Sequence, residues 1–533
     1  MASTLDTRRD QMFPALSDAQ MARVEAYGKR VALRAGDELV KPGDRMGGML
    51  VVLSGAVEIL RPVPGGEELV TVHTRGHFTG EVATLRGAGA LVRIAVRESG
   101  EAIELDRAAL MRLIGADAQL SELLMRAFIL RRVGLLEGNK GELVLIGSLH
   151  SAGTLRIRQF LSRNGFPFTF TDVDHDPDIA QMLERFQITV ADIPVVICRG
   201  GEIFRNPSNS ALAECLKLNA PIDECEIRDV VVIGAGPSGL AAAVYAASEG
   251  LNVLVLEGHA PGGQAGSSSK IENYLGFPTG ISGEALAGRA MVQAQKFGAH
   301  IEIADSAVRL RCESLPYVVE LSDGRSVRAR TIVIATGAEY RALALPNLAN
   351  YVGAGIYYAA THVEALLCKD QEVVIVGGGN SAGQAAVFLA NGCRHVHIVV
   401  RRAGLADTMS RYLIHRIEES PSITVHGHSE IAGLEGDGRL QRVQWHCGTT
   451  NKTTVESIEH LFMMTGAVPN THWLDGCVDL DEKGFVKTGI DYQASKPGIF
   501  AVGDVRAGSM KRVAAAVGEG SGCVSAIHRY LSS

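Results

Sequence analysis

The chain has 533 residues, 46% hydrophobic and 21% charged, enough to fill several cores, so a multidomain protein is expected. A net charge of -7 with no long run of Lys or Arg leaves no basic field for a polyanion, and nucleic acid is not an expected partner. The longest apolar stretch, residues 230–247, is broken by Gly234, Gly236, Pro237 and Gly239 and reads as strand, turn and helix, not as a membrane span; the opening MASTLDTRRDQMFP has no signal-peptide core, and a cytoplasmic location is expected.

Residues 1–138 open with a helical stretch and continue as short alternating strands between Gly-rich turns: MLVVLSGAVEILRP, ELVTVHTRGHF and ALVRIAVRESGEAIEL. They close on a helical pattern, LMRLIGADAQLSELLMRAFILRRVGLL, which makes a small β-barrel followed by a helix. That order, with the turn at Gly55 and the Gly80-Glu81 pair, resembles the cyclic-nucleotide-binding domain family. The resemblance implies that Glu81 accepts a ribose hydroxyl and that an Arg about ten residues later grips the phosphate through its planar fork. Leu91 stands there, and Arg93 or Arg86 could substitute. A cyclic nucleotide, another small ligand and a ligand-free packing role all stay open.

Residues 141–222 alternate strand (GELVLIGSL), helix (LRIRQFLSRNG), strand (FTFTDVD), helix (PDIAQMLERFQI), strand (PVVICRGG) and helix (NSALAECLKLN). This order, with Ile193-Pro194 before a strand, resembles the thioredoxin and glutaredoxin fold, in which such a Pro is usually cis. Where that fold carries its redox thiols, this chain has Ser151-Ala152-Gly153-Thr154, and a hydroxyl cannot take part in thiol exchange. A packing or adaptor role is expected. The nine cysteines of the chain form no CxxC and are expected to be reduced thiols.

From Asp229 an apolar strand runs into Gly234-x-Gly236-x-x-Gly239, then a helix, then a second strand ending at Glu257. The glycines allow a tight turn, close approach of a pyrophosphate and close helix packing, and Glu257 can accept ribose hydroxyls. Four further segments follow in order: Pro261-Gly262-Gly263-Gln264, IENYLGFP with Asn273, TIVIATG with Thr336-Gly337, and GIFAVGDV with Gly503-Asp504 leading to KRVAAAVGEG with Arg512-Val513. Together they resemble the flavin-binding half of thioredoxin-reductase-like flavoproteins, which implies FAD, with Asp504 accepting a ribityl hydroxyl.

Between the two flavin segments lies EVVIVGGGNSAGQAAVFLA, where Gly377-x-Gly379-x-x-Ala382, with Asn380 and Ser381, repeats the pyrophosphate logic. Its second strand ends in Arg401-Arg402 where an NAD site carries an acid, and two guanidinium groups suit a 2′-phosphate, so NADPH is expected over NADH. The family's neighbouring His and third Arg are Val400 and Ala406 here.

Low-molecular-weight thioredoxin reductases place a Cys-Ala-Thr-Cys-Asp segment before this unit; at that place the chain reads Ala359-Ala360-Thr361-His362-Val363. Both sulfurs are replaced, by Ala359 and His362. The resemblance therefore implies a reductase without its ordinary exit for electrons: NADPH reduces FAD, and the flavin reduces an external acceptor, a disulfide or another group such as oxygen or a quinone. His362 is a candidate proton donor or a space-filling replacement for Cys. A redox or nucleotide sensor with little turnover is the alternative class. The expected architecture is a barrel (1–138), a cysteine-less thioredoxin-like domain (141–222), and two α/β Rossmann-like domains, FAD (225–344 and 461–533) and NADPH (345–460), in a homodimer. No metal is expected.

Overall fold

The computed structural model describes residues 13–533 except 43, 45–47, 64–65, 80–89, 91, 118, 122, 125–126, 128–142, 175–191, 199–202, 342 and 475. Gly80, Glu81, Arg86, Leu91 and the helix expected over 177–188 lie outside the described residues.

The N-terminal unit starts with α1 (Asp18–Glu25), held by a capping box between Ser17 and Gln20. Strands β1 (Lys29–Leu33), β2 (Glu38–Val40), β3 (Gly48–Val63), β4 (Gly66–His73), β5 (Phe78–Thr79) and β6 (Arg93–Asp106) form one antiparallel sheet ordered β1-β6-β3-β4, with β2 on β6 and β5 on β3. Helix α2 (Arg107–Ala116) packs its Leu110 and Leu113 against Met49, Ile103 and Leu105.

The middle unit has β7 (Leu143–Gly147), α3 (Ala152–Arg163), β8 (Phe168–Asp172), β9 (Val195–Ile197), β10 (Ile203–Arg205) and α4 (Asn209–Cys215). Its sheet runs β10-β9-β7-β8, with β7 parallel to β8 and β9 antiparallel to β7. Ile193-Pro194 is cis. Helix α3 begins three residues before the sequence pattern suggested, because Ser151 is its N-cap and accepts from Thr154 N. The expectation of nine free thiols is corrected: Cys198 and Cys215 within this unit are joined, as are Cys312 and Cys477 further on. Partners 17 and 165 residues apart are invisible to a search for CxxC.

The first glycine-turn unit is a seven-stranded sheet. Strands β11 (Ile227–Ile233), β12 (Val253–Glu257) and β13 (His300–Ile303) are parallel to one another, followed by β14 (Ala307–Arg311), β15 (Tyr317–Leu321) and β16 (Ser326–Ile334). Helices α5 (Pro237–Ser248), α6 (Gly263–Gly266) and α7 (Gly283–Lys296) lie in this stretch, and Lys296 Nζ donates to Ser121 Oγ of the N-terminal unit at 3.0 Å. Strand β17 (Ala338–Tyr340) then crosses to the second unit.

That unit is a parallel sheet of β18 (Ile356–Tyr357), β19 (Glu372–Val376), β20 (His395–Val399), β21 (Ile423–His426) and β25 (His460–Met463), ordered β18-β25-β19-β20-β21. Its helices are α8 (His362–Leu367), α9 (Asn380–Leu389) and α10 (Arg411–Glu418), and β22 (Ser429–Gly436), β23 (Leu440–Cys447) and β24 (Lys452–Glu456) form a separate antiparallel sheet. The chain returns through β26 (Ala467–Pro469), paired with β17, to β27 (Ile499–Ala501), which joins β16, and to α11 (Val513–Leu531). The strand-turn-helix reading of residues 230–247 corresponds to β11 and α5, and among the described residues no helix is long and apolar enough to cross a membrane.

Candidate functional site

The first turn is built by steric demand. Gly234 sits at φ +103, and a Cβ there would meet Ala335 O at 2.4 Å; one on Gly239 would meet Gly234 O at 1.9 Å. Gly236, the N-cap of α5, has only Gly263 Cα as neighbour, at 4.0 Å from an added Cβ. Two glycine loops thus face each other across a backbone-lined space at a helix N-terminus, where free N–H groups and the helix dipole favour an anion. This cradle fits a dinucleotide pyrophosphate.

Glu257 frames the cradle. One carboxylate oxygen accepts from Ala235 N at 2.8 Å, and the other accepts from His259 N at 3.0 Å and Ala260 N at 3.2 Å, so the side chain holds both loops. Sequence spacing had suggested only a ribose contact. The Gln264 amide donates to Ala338 O, and the Thr336 hydroxyl donates to Asn470 O at 2.8 Å while Asn470 returns a bond to Thr336 O. Gly337 follows at φ +65. Asn273 lies exposed in a loop closed by the Ile271–Ile281 bridge.

At the C-terminal motif, Gly503 (φ +75) packs against Ser238 and is fixed by Glu519, which accepts from Gly503 N at 2.7 Å, from Arg506 at 3.1 and 2.6 Å, and from Ser509 Oγ at 2.8 Å. Burial pushes the Glu519 carboxyl up, but these donors outweigh it and leave it below its ordinary value. The sequence reading missed Glu519; its place in the GEG of KRVAAAVGEG, nearly two helix turns inside α11, was the available signal. Burial pushes Asp504 above the ordinary carboxylate range, with Lys511 opposing, and among the described residues no donor satisfies it. Arg512 occupies the N-cap position of α11 without a side-chain capping bond, and Val513 begins the helix.

The second turn repeats the design. Gly377 (φ +143) would place a Cβ 2.2 Å from Met464 O, whereas Gly379, the N-cap of α9, has nothing within 4 Å, and Ala382 is fully buried. Asn380 accepts from Ser410 N at 2.7 Å. Burial pushes the phenol of Tyr340, on the first crossing, above its ordinary value, with Ser381 opposing and the charge of Asp504 adding to the rise. Tyr340 is partly buried against the core of the second unit. Arg401 and Arg402 are exposed beyond β20, with Arg402 in an open ion pair with Asp407 at 3.1 Å.

His362 is the exposed first residue of α8, while Glu364 behind it is fully buried. Cys368 is buried, as are Ala360 and Val363. In the N-terminal unit Arg93 is not free for a phosphate: Glu67 holds its guanidinium bidentately at 2.8 and 2.6 Å, with Glu38 at 3.8 Å.

Residues 228–520 match the family model described as pyridine nucleotide-disulphide oxidoreductase, and residues 30–117 match that of the cyclic nucleotide-binding domain. NADPH-dependent thioredoxin reductase 3 of Arabidopsis thaliana is 34% identical over 355 residues, covering 63% of this chain and 66% of that protein, just under two thirds of its length. Thioredoxin reductase of Streptomyces clavuligerus is 33% identical over 310 residues, covering 58% of this chain and 95% of that protein. The crystal structure of Lactococcus lactis thioredoxin reductase in its FR conformation superposes with a TM-score of 0.55 at 28% identity, covering 57% of this chain and 99% of that one. The chain therefore belongs to the pyridine nucleotide-disulphide oxidoreductases, as a thioredoxin-reductase-like NAD(P)H-dependent flavin enzyme carrying an N-terminal cyclic nucleotide-binding-type barrel.

Proposed function

We propose that the protein takes electrons from NADPH into FAD and delivers them to an external acceptor, a disulfide or another group, with no dithiol of its own beside the flavin. The observation that carries this reading is the pair of open glycine turns, combined with Ala359 and His362 where the resemblance to the relatives puts sulfur. Bound FAD would accept the nicotinamide hydride and release two electrons to the acceptor. Gly236, Gly263 and the α5 N-terminus bind its pyrophosphate; Gly234, Gly239 and Glu257 keep that cradle in shape. Asp504, lacking a donor among the described residues, accepts a ribityl hydroxyl, while Gln264, Asn273, Thr336, Gly337, Gly503, Arg512 and Val513 surround the ring system.

The turn at Gly377, Gly379, Asn380, Ser381 and Ala382 binds the nicotinamide nucleotide, and Arg401 with Arg402 selects the 2′-phosphate, so NADPH binds more tightly than NADH. His362 supplies a proton to the acceptor side. The domains run 1–138, 141–222, 225–344 with 461–533, and 345–460, in a cytoplasmic homodimer.

The test is an anaerobic reaction of the FAD-loaded protein with NADPH, followed by disulfides, quinones and oxygen in turn. Rapid bleaching followed by reoxidation with one acceptor class supports the reading; a flavin inert to both nicotinamides contradicts it. His362→Gln should keep the bleaching rate and slow reoxidation by the acceptor. An unchanged reoxidation rate would reduce His362 to a space filler.

A further inference from the structure

The middle unit has no thiols at its helix start, yet one of its helices takes part in two cores. On α3, Ile157, Phe160 and Leu161 pack with Val230, Val232, Ala242 and Ala243 of the first glycine-turn unit. Leu155 of the same helix packs with Tyr357, Ala360 and Val363 of the second. The polar contacts divide in the same way. Arg163 Nη2 donates to Gly263 O at 2.8 Å and to Ala260 O at 3.4 Å, and Asn164 Nδ2, just past the helix, donates to His259 O at 3.2 Å. Gln159 Nε2 donates to Glu364 Oε1 at 2.5 Å, supplying a bond to a carboxylate that is fully buried.

At 100° per residue, Ala152, Leu155, Gln159 and Arg163 form one stripe along α3. The stripe starts against Gly353, where an added Cβ would lie 2.8 Å from the Ala152 Cβ, and ends under the loop carrying Gly263 and Gln264. At the Ser151-to-Thr154 end of the helix Ala152 lies beside Gly353 while Thr154 is buried. The two glycine-turn units also meet through the ion pair Glu272–Arg416 at 2.8 Å and through Tyr340 and Leu343, which pack on the second unit's cores, and the chain crosses between them at β17 and β26.

We propose that α3 is an internal strut, tying the FAD loop at 259–264 to the α8 segment and thereby fixing the distance across which hydride passes from the nicotinamide turn to the flavin site. The strut rests on the NADPH-to-FAD reading above. Leu155, Gln159 and Arg163 are positioning residues, acting through Gly263 and Glu364 and not on a reacting atom. The middle unit thus serves as a brace for the reductase.

The test uses the full-length FAD-loaded protein with Leu155→Ser/Gln159→Ala, and with Gln159→Glu, which sets a second carboxylate against buried Glu364 while keeping the apolar packing. Three quantities are read: the anaerobic flavin reduction rate constant at saturating NADPH, the dissociation constant for NADP+, and hydrogen–deuterium exchange over 338–345 and 464–470. A misplacement of about 1 Å costs up to about a hundredfold in rate, so at least about a tenfold slower reduction is expected. Exchange at both crossings should rise, with FAD content kept and the NADP+ constant within about twofold. Either an unchanged rate constant or unchanged exchange in both variants overturns the strut. If the unaltered protein is not reduced by NADPH at all, the functional reading fails, and exchange alone decides: a rise keeps the mechanical brace, and no change removes it.

Discussion

Glu519 fixes the turn before Asp504 with four hydrogen bonds, and its ion pair with Arg506 is largely shielded from water. Glu519→Ala would strand that guanidinium, an uncompensated charge costing about 3 kcal/mol, and should release FAD; unfolding by denaturant and flavin-to-protein absorbance check the two effects. His460 gives a pH dependence. Burial pushes its imidazole down to about 4, with the positive charges of His150 and Arg439 adding to the shift, and it bonds Tyr357 and Gln371. Between about pH 6.5 and that value the unfolded chain binds a proton that the folded chain refuses, so stability falls as pH falls through this window. Denaturant unfolding should show a loss of about 2 kcal/mol between pH 7 and pH 5, and a smaller loss in His460→Asn. Individual roles of this kind were poorly legible in the sequence. Spacing marks Glu257 and Asp504 as acidic positions, but the loops that Glu257 ties together and the donors that Glu519 collects meet only after long stretches of chain close on one another.

At the scale of elements, the two glycine turns were fully legible, because each combines an apolar strand, a fixed glycine spacing and a helix within one continuous segment. Their glycines separate by function. A side chain at Gly239 collides with backbone at 1.9 Å, whereas one at Gly379 enters open space. Gly379→Val should therefore fold, bind FAD and stay yellow on adding NADPH. Gly239→Ala should lose the first unit's fold. Circular dichroism with NADPH-dependent bleaching separates the two, and a Gly379→Val protein reduced at the normal rate would show that nucleotide does not sit on that turn. Helix α3 was read as a helix but not as a bridge, because the residues it touches, Gly263 and Glu364, lie far along the chain. The two disulfides escaped for the same reason.

Over the whole molecule, a cyclic nucleotide-binding-type unit, a middle unit packed on both glycine-turn units and a two-turn reductase occupy one chain. The family was legible because its motifs are local and keep their order. The acceptor was not, because Ala359 and His362 stand where the family resemblance puts the sulfur that would name it. Arg93, considered for a cyclic phosphate, is occupied by Glu67, a cross-strand pairing that the linear sequence does not reveal. The missing thiols have one countable consequence. A flavin alone holds two electrons, while a flavin in exchange with a dithiol holds four. The most direct measurement is an anaerobic titration of the FAD-loaded protein with NADPH, followed at the flavin absorbance band. Complete bleaching at about one NADPH per FAD is expected, and bleaching that requires about two would contradict a flavin without a redox thiol partner.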